Sequence, residues 1–162
     1  MVFWLLIPAF YLQKRFDMKI DKILIIADDS APSIKAVKYG FGMARDLLAE
    51  VTLLSIVDPI NSLGNPDAGV FPDDAIMAAK ADAEAFLNKV KKTYGAGVKT
   101  ELLTVVGEIQ PAVIKTAIKH KADLIITGTH GRTGLSLLFH GSVSDAVIHH
   151  SPVPVCVVPM DI

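Results

Sequence analysis

Lys22–Ser30 reads KILIIADDS. Its first six residues are a short, β-branched apolar run without alternation, which is how a strand buried on both faces reads. Asp28-Asp29-Ser30 ends the run, and Ser30 is a good N-cap ahead of Pro32. Ile34, Val37, Phe41, Ala44 and Leu48 then recur at helical spacing. Strand followed by helix is the step whose repetition decides the fold.

The step repeats along the chain. Val51–Val57 (VTLLSIV) is a second buried strand. Asp58–Phe71 carries Pro59, Asn61, Gly64, Asn65, Pro66 and Gly69, turn residues that argue against regular structure. A loop this long inside a compact domain is a candidate lid. Asp73–Lys92 places Ile76, Ala79, Ala83, Phe86 and Val90 on one helical face, and Gly95 and Gly97 break the helix. Val98–Val106 is the third strand. Pro111–Lys119 is the third helix, with Val113, Ile114, Ala117 and Ile118 on it and Pro111 near its first position. Asp123–Thr127, Ser142–His150 and Val153–Val158 read as the fourth strand, fourth helix and fifth strand. The order βαβαβαβαβ implies one α/β domain with a mostly parallel sheet and helices on both faces. Ligands of such sheets sit beyond the carboxyl ends of the strands, where strand order reverses. The residues after the first and fourth strands therefore decide function.

Composition narrows the classes. The 162 residues suffice for one domain, and 51% hydrophobic with 20% charged residues excludes a disordered polar chain. With 16 basic and 17 acidic residues, no broad basic field exists to hold a nucleic-acid backbone. One cysteine allows neither a disulfide framework nor a Cys-rich metal site and fits a cytoplasmic setting. Met1–Leu12 (MVFWLLIPAFYL) is apolar but shorter than the about 20 residues of a spanning helix, and Lys14 and Arg15 follow rather than precede it. Residues 1–17 are read as an extension outside the core fold, residues 18–162 as the domain, and membrane attachment is not expected.

The loop after the fourth strand carries the chemistry. Gly128, two residues, Gly131, nine residues, then Gly141-Ser142 lead into the fourth helix. Glycines let a ligand approach the backbone, and a helix start offers free N–H groups and partial positive charge to a phosphate. Ser142 can cap the helix or donate to a phosphate oxygen, and Arg132 can add a charge-assisted bond. A Walker loop is excluded because no GK[ST] follows a five-residue gap, and no GxGxxG follows the first strand.

The pattern G-x2-G-x9-G-[S/T] resembles the nucleotide-binding signature of the universal stress protein family. ILIIADDS, LLSIVD at Leu53–Asp58, ADLIITGTHGRTG at Ala122–Gly134 and SPVPVCVVP at Ser151–Pro159 look like that family's strands, so the resemblance covers essentially Lys19 to Met160. It implies a five-stranded parallel sheet of order 3-2-1-4-5 and the branch that binds ATP or AMP, with Mg or Mn carried along with the triphosphate. By position, Ile26, Ala27 and Ile56 would border the adenine, and Asp28 would contact the ribose or, through water, a phosphate-bound metal. Thr127 and Gly128 would lie near the ribose, and His130, Gly131, Arg132, Thr133, Gly141, Ser142, Val143 and Ser144 would surround the phosphates. A homodimer through the last strand, Val153–Val158, is also implied. Asp29 stands where many relatives have glycine, and two adjacent carboxylates would repel a triphosphate unless Asp29 points away or a cation intervenes. A shared role for Asp29 in capping the helix beside Ser30 is the plainer reading.

The remaining candidates read as structural. His149 and His150 point to different sides of a helix and suit a solvated helix end. Cys156 reads as a small core residue, and Ser136 lacks the glycine at position 138 that a nucleophile elbow needs. No catalytic residue is assigned. The function implied is a nucleotide-binding regulatory or stress-response module with little or no hydrolysis. The alternatives are a nucleotide-hydrolysing or adenylyl-transferring enzyme of a related α/β fold, and an interaction module with vestigial binding.

Overall fold

Three consecutive residues of the first strand, Ile23, Leu24 and Ile25, are fully buried, because helices cover both faces of the sheet at that strand. The computed structural model describes residues 19–61, 64, 71–129 and 143–160, and for residues 143–146 the backbone alone. The elements are β1 (Lys22–Ile26), α1 (Ala31–Leu47), β2 (Glu50–Val57), a 3-10 turn (Pro59–Asn61), α2 (Pro72–Tyr94), β3 (Thr100–Val106), α3 (Ile109–His120), β4 (Leu124–Gly128), α4 (Val143–His150) and β5 (Val155–Val158). The strands are all parallel, in the order β3-β2-β1-β4-β5. The chain is thus a single α/β domain, and the order reverses between β1 and β4.

Each face of the sheet has its own core. On one face Val37, Phe41 and Ala44 of α1 and Leu87 and Val90 of α2 pack on Ile23, Ile25, Leu53 and Ile126. On the other, Val113 and Ala117 of α3 and Val147 of α4 pack on Leu24, Leu54 and Ile125. Alternate strand residues go to opposite sides, as the pleat requires. Gly40 lets α1 lie close to the sheet: a Cβ there would come within 2.5 Å of Ile25 Cδ1.

Several sequence readings shift. Leu48 is not part of the buried helical stripe. It caps α1 in the left-handed conformation (φ 57°) and is 92% exposed, because the chain must reverse there to enter β2. Ile118 is likewise exposed, on the outer side of α3. Pro111 is the third residue of α3, after the N-cap Glu108 and two further residues. It is tolerated there because the first-turn N–H groups have no intrahelical acceptor to lose. Part of the Asp58–Phe71 loop is regular: the Asp58 carboxylate accepts from Ile60 N at 2.9 Å and starts the 3-10 turn. The rest of that candidate lid, 62–63 and 65–70, lies outside the described residues, as does the 1–17 extension. β3 starts at Thr100 because Val98 N donates to Gly95 O in a turn. β5 starts at Val155, after Pro154, whose carbonyl accepts from Ile125 N at 3.0 Å. Among the described residues no helix is long and apolar enough to cross a membrane.

Candidate functional site

At the strand-order reversal, the carboxyl ends of β1 and β4 meet the amino end of α1. Ala27 extends the pairing of β1 by one bond, donating to Leu54 O at 2.8 Å. The chain then turns sharply. Asp28 N donates to Ser33 Oγ (2.8 Å), Ser30 N donates to the Asp28 carboxylate (2.9 Å), and Ser33 N donates to Ser30 Oγ (3.3 Å). The bond to the Asp28 carboxylate is an Asx-turn and the bond to Ser30 Oγ is the N-cap of α1, so with the Ser33 hydroxyl three side chains hold the backbone where the helix begins. Asp28 is half-buried and Asp29 exposed, so of the two carboxylates Asp28 is the one folded into the turn.

Gly128 closes the other side of this junction. A Cβ at Gly128 would lie 2.7 Å from Pro32 O and 3.1 Å from Ser33 N. The amino end of α1 therefore occupies the space that any side chain at 128 would need. This is a packing reason for the glycine, beyond the freedom to admit a ligand that its position suggested. Thr127 beside it is buried, and its hydroxyl donates to Gly128 O at 3.3 Å.

Ile26 and Ile56 are half-buried at the carboxyl ends of β1 and β2, packed against the α3–α4 core. Thr127 falls two residues beyond Ile125 and so shares that face. The structure thus brings Ile26, Ala27, Asp28, Ile56, Thr127 and Gly128 to one end of the sheet. Val143 and Ser144 open α4. His130, Gly131, Arg132, Thr133, Gly141 and Ser142 lie outside the described residues. Ser33 was not legible as a site residue. It is 5% exposed, its hydroxyl accepts from Asp28 N, and its backbone N would lie 3.1 Å from a Cβ at Gly128. The only sequence cue is its place three residues after an N-cap serine.

The other candidates keep simple roles. His149 and His150 are exposed in the last turn of α4. Cys156 is free and half-buried in β5, and burial pushes its thiol pKa up. Among the described residues no group of three or more His, Cys, Asp or Glu side chains could hold a metal ion. The hard oxygen donors at the junction are the carboxylates of Asp28 and Asp29, which suit a cation that keeps its own water shell.

The chain is similar to known proteins over most of its length. The family model described as the universal stress protein family matches residues 19–159. A universal stress protein of Methanocaldococcus jannaschii is 36% identical over 140 residues, covering 85% of this chain and 81% of its own length. Among solved structures, hypothetical protein MJ0577 superposes with a TM-score of 0.76 at 28% identity, covering 89% of this chain and 99% of that one. A universal stress protein crystallised in complex with cAMP superposes with a TM-score of 0.66 at 26% identity, covering 86% of this chain and 97% of that one.

Proposed function

Because the chain belongs to the universal stress protein family, we propose that it binds an adenine nucleotide at the carboxyl ends of β1, β2 and β4. In this reading it acts as a nucleotide-dependent regulatory or stress-response module with little or no hydrolysis. The observation that carries the proposal is the junction of Asp28, Ser33 and Gly128, where a helix start and two strand ends converge at the order reversal. The relative crystallised with cAMP supports an adenine nucleotide as the ligand class. ATP or AMP is the ligand proposed, with Mg or Mn arriving on the triphosphate and Asp28 reaching it through water.

The residues suit binding better than turnover. Ile26, Ala27 and Ile56 offer apolar contact to a base, and Thr127 and Asp28 offer polar contact to a ribose. Backbone N–H groups around Gly128, Gly131 and Gly141, with Ser142, hold anions without moving a proton. Hydrolysis needs in addition a group that orients water and one that stabilises the leaving charge. By position Arg132 would supply part of the second; for the first only Asp28, Asp29 and His130 come near by position, and none sits in a water-positioning motif. The chain is further proposed to be a cytoplasmic homodimer paired through β5, an edge strand of the sheet, with residues 1–17 outside the domain.

Calorimetry tests the reading. The wild type should bind ATP with micromolar-class affinity, about −8 kcal/mol, and Gly141→Val should abolish binding by filling the phosphate path. Equal binding by both proteins would move the site elsewhere. Turnover at the about 1–100 s⁻¹ of kinases would establish an enzyme instead. Light scattering gives the mass, and a monomer at tens of micromolar would remove the dimer.

A further inference from the structure

The opposite, amino-terminal end of the sheet holds a cavity of about 470 Å³. Its floor is set by the pleat. Lys22 of β1, Glu50 and Thr52 of β2, and Glu101 of β3 share the face of Leu24, Leu54 and Leu103, which is the face that α3 covers. The register aligns them, with Lys22 beside Glu50 and Thr52 beside Glu101. Lys99 precedes β3 on the same side. The wall is the last turn of α3, Lys119 and His120, with its left-handed cap Lys121 (φ 53°). Asp123 fixes that wall to the floor: its carboxylate accepts from both Asp21 N and Lys22 N at 2.9 Å.

The charges in this cavity do not cancel. Lys99 pairs with Glu50 at 2.7 Å, and His120 Nδ1 is held by Glu101 at 3.1 Å. Lys22, Lys119 and Lys121 carry no ion pair among the described residues. Among the lining residues four lysines stand against two glutamates, and the Asp123 carboxylate lies beside Lys22 N at the edge, which leaves a small local excess of positive charge on a chain whose net charge is -1. The His120 side chain is 17% exposed, and its Nε2 is buried with no hydrogen-bond partner among the described residues. That nitrogen has almost no accessible surface, so it is closed off from the open space of the cavity, and the ring's contact is the one its Nδ1 makes with Glu101. The backbone of α3 offers no help to an anion here, since a helix presents its negative end at its carboxyl terminus. Any anion must therefore be held by the lysine side chains.

We propose that this cavity is a second ligand site, distinct from the nucleotide site, for a small anion carrying two or more negative charges. Its volume falls in the range of small-molecule pockets, about 300–1,000 Å³. Lys22, Lys119 and Lys121 supply the charge, and Thr52 supplies a hydroxyl. Phosphate-bearing and polycarboxylate ligands share this chemistry.

Backbone amide spectra of the 15N-labelled full chain test the site, titrated with pyrophosphate in one arm and citrate in the other. Saturable shifts are expected at Val51, Thr52, Glu101, His120 and Lys121 with one or both anions. The arm that responds identifies the phosphate or carboxylate class. Lys22→Gln/Lys121→Gln should weaken that binding by about tenfold or more, because two charge-assisted contacts are lost. The same variant should leave ATP-induced shifts at Asp28, Thr127 and Gly128 unchanged, and its spectrum reports directly that it is folded. Shifts confined to the Gly128 end, no shifts with either anion, or equal binding by the variant would overturn the proposal. Failure of ATP to bind would overturn the nucleotide reading alone.

Discussion

The two ends of the sheet are built from opposite materials. At the carboxyl end, α1 begins, and its start is held by Asp28, Ser30 and Ser33 with a glycine pressed against it. At the amino end, α1 and α3 finish on left-handed caps, Leu48 and Lys121, and the polar groups are long side chains. The difference follows from parallel topology. Every crossover helix runs antiparallel to the strands it joins, so helix starts gather at one end and helix finishes at the other. Helix starts expose N–H groups and helix finishes expose carbonyls. An anion can be held by backbone at the first end, and only by lysines at the second.

Substitutions at the two ends should separate tight packing from exposed polar contacts. The largest effect belongs to Gly128→Val. Its Cβ would meet the Pro32 carbonyl at 2.7 Å, and backbone cannot rotate away as a side chain can. A loss of about 3 kcal/mol is expected in urea unfolding. A stability within about 0.5 kcal/mol of wild type would show that α1 and β4 can move apart freely.

Ser33→Ala comes next. It leaves the part-buried Asp28 N–H without its acceptor, a cost of about 1–2 kcal/mol. The same variant should weaken ATP binding if the Asp28 turn shapes the ribose contact, which calorimetry would read. Unchanged stability would mean that water replaces the hydroxyl at this junction.

The matching change at the amino end is Asp123→Ala, which removes the acceptor of two backbone N–H groups. Those bonds are exposed, so water compensates and the cost should be about 1 kcal/mol by chemical denaturation. A cost above that of Ser33→Ala would reverse the ranking of the two ends. The smallest stability effect is expected for Glu50→Gln. It breaks an exposed ion pair worth about 0.5 kcal/mol at most. It should also tighten pyrophosphate binding by freeing Lys99, and weaker binding would argue that Glu50 positions that lysine.

The sequence by itself determined the alternation of strands and helices, because burial of β1 on both faces forces the unbroken run at Ile23–Ile26 and helix spacing is written in residues such as Val37, Phe41 and Ala44. It also marked Asp28 and Ser30, whose types are set by local turn chemistry, and it marked Gly128 by position, although the reason for that glycine is packing against the start of α1. It could not place Leu48, because a left-handed cap on a leucine follows from where β2 must begin rather than from the residue's own preference. Nor could it reveal Ser33 against Gly128, or the gathering of Lys22, Lys99, Lys119 and Lys121 around His120. The segments that carry them, β1, the start of β3 and the end of α3 in the one case and α1 and β4 in the other, are far apart along the chain and meet only through parallel register and helix packing. Local sequence encodes what each segment prefers, and tertiary packing alone decides which distant segments share a space.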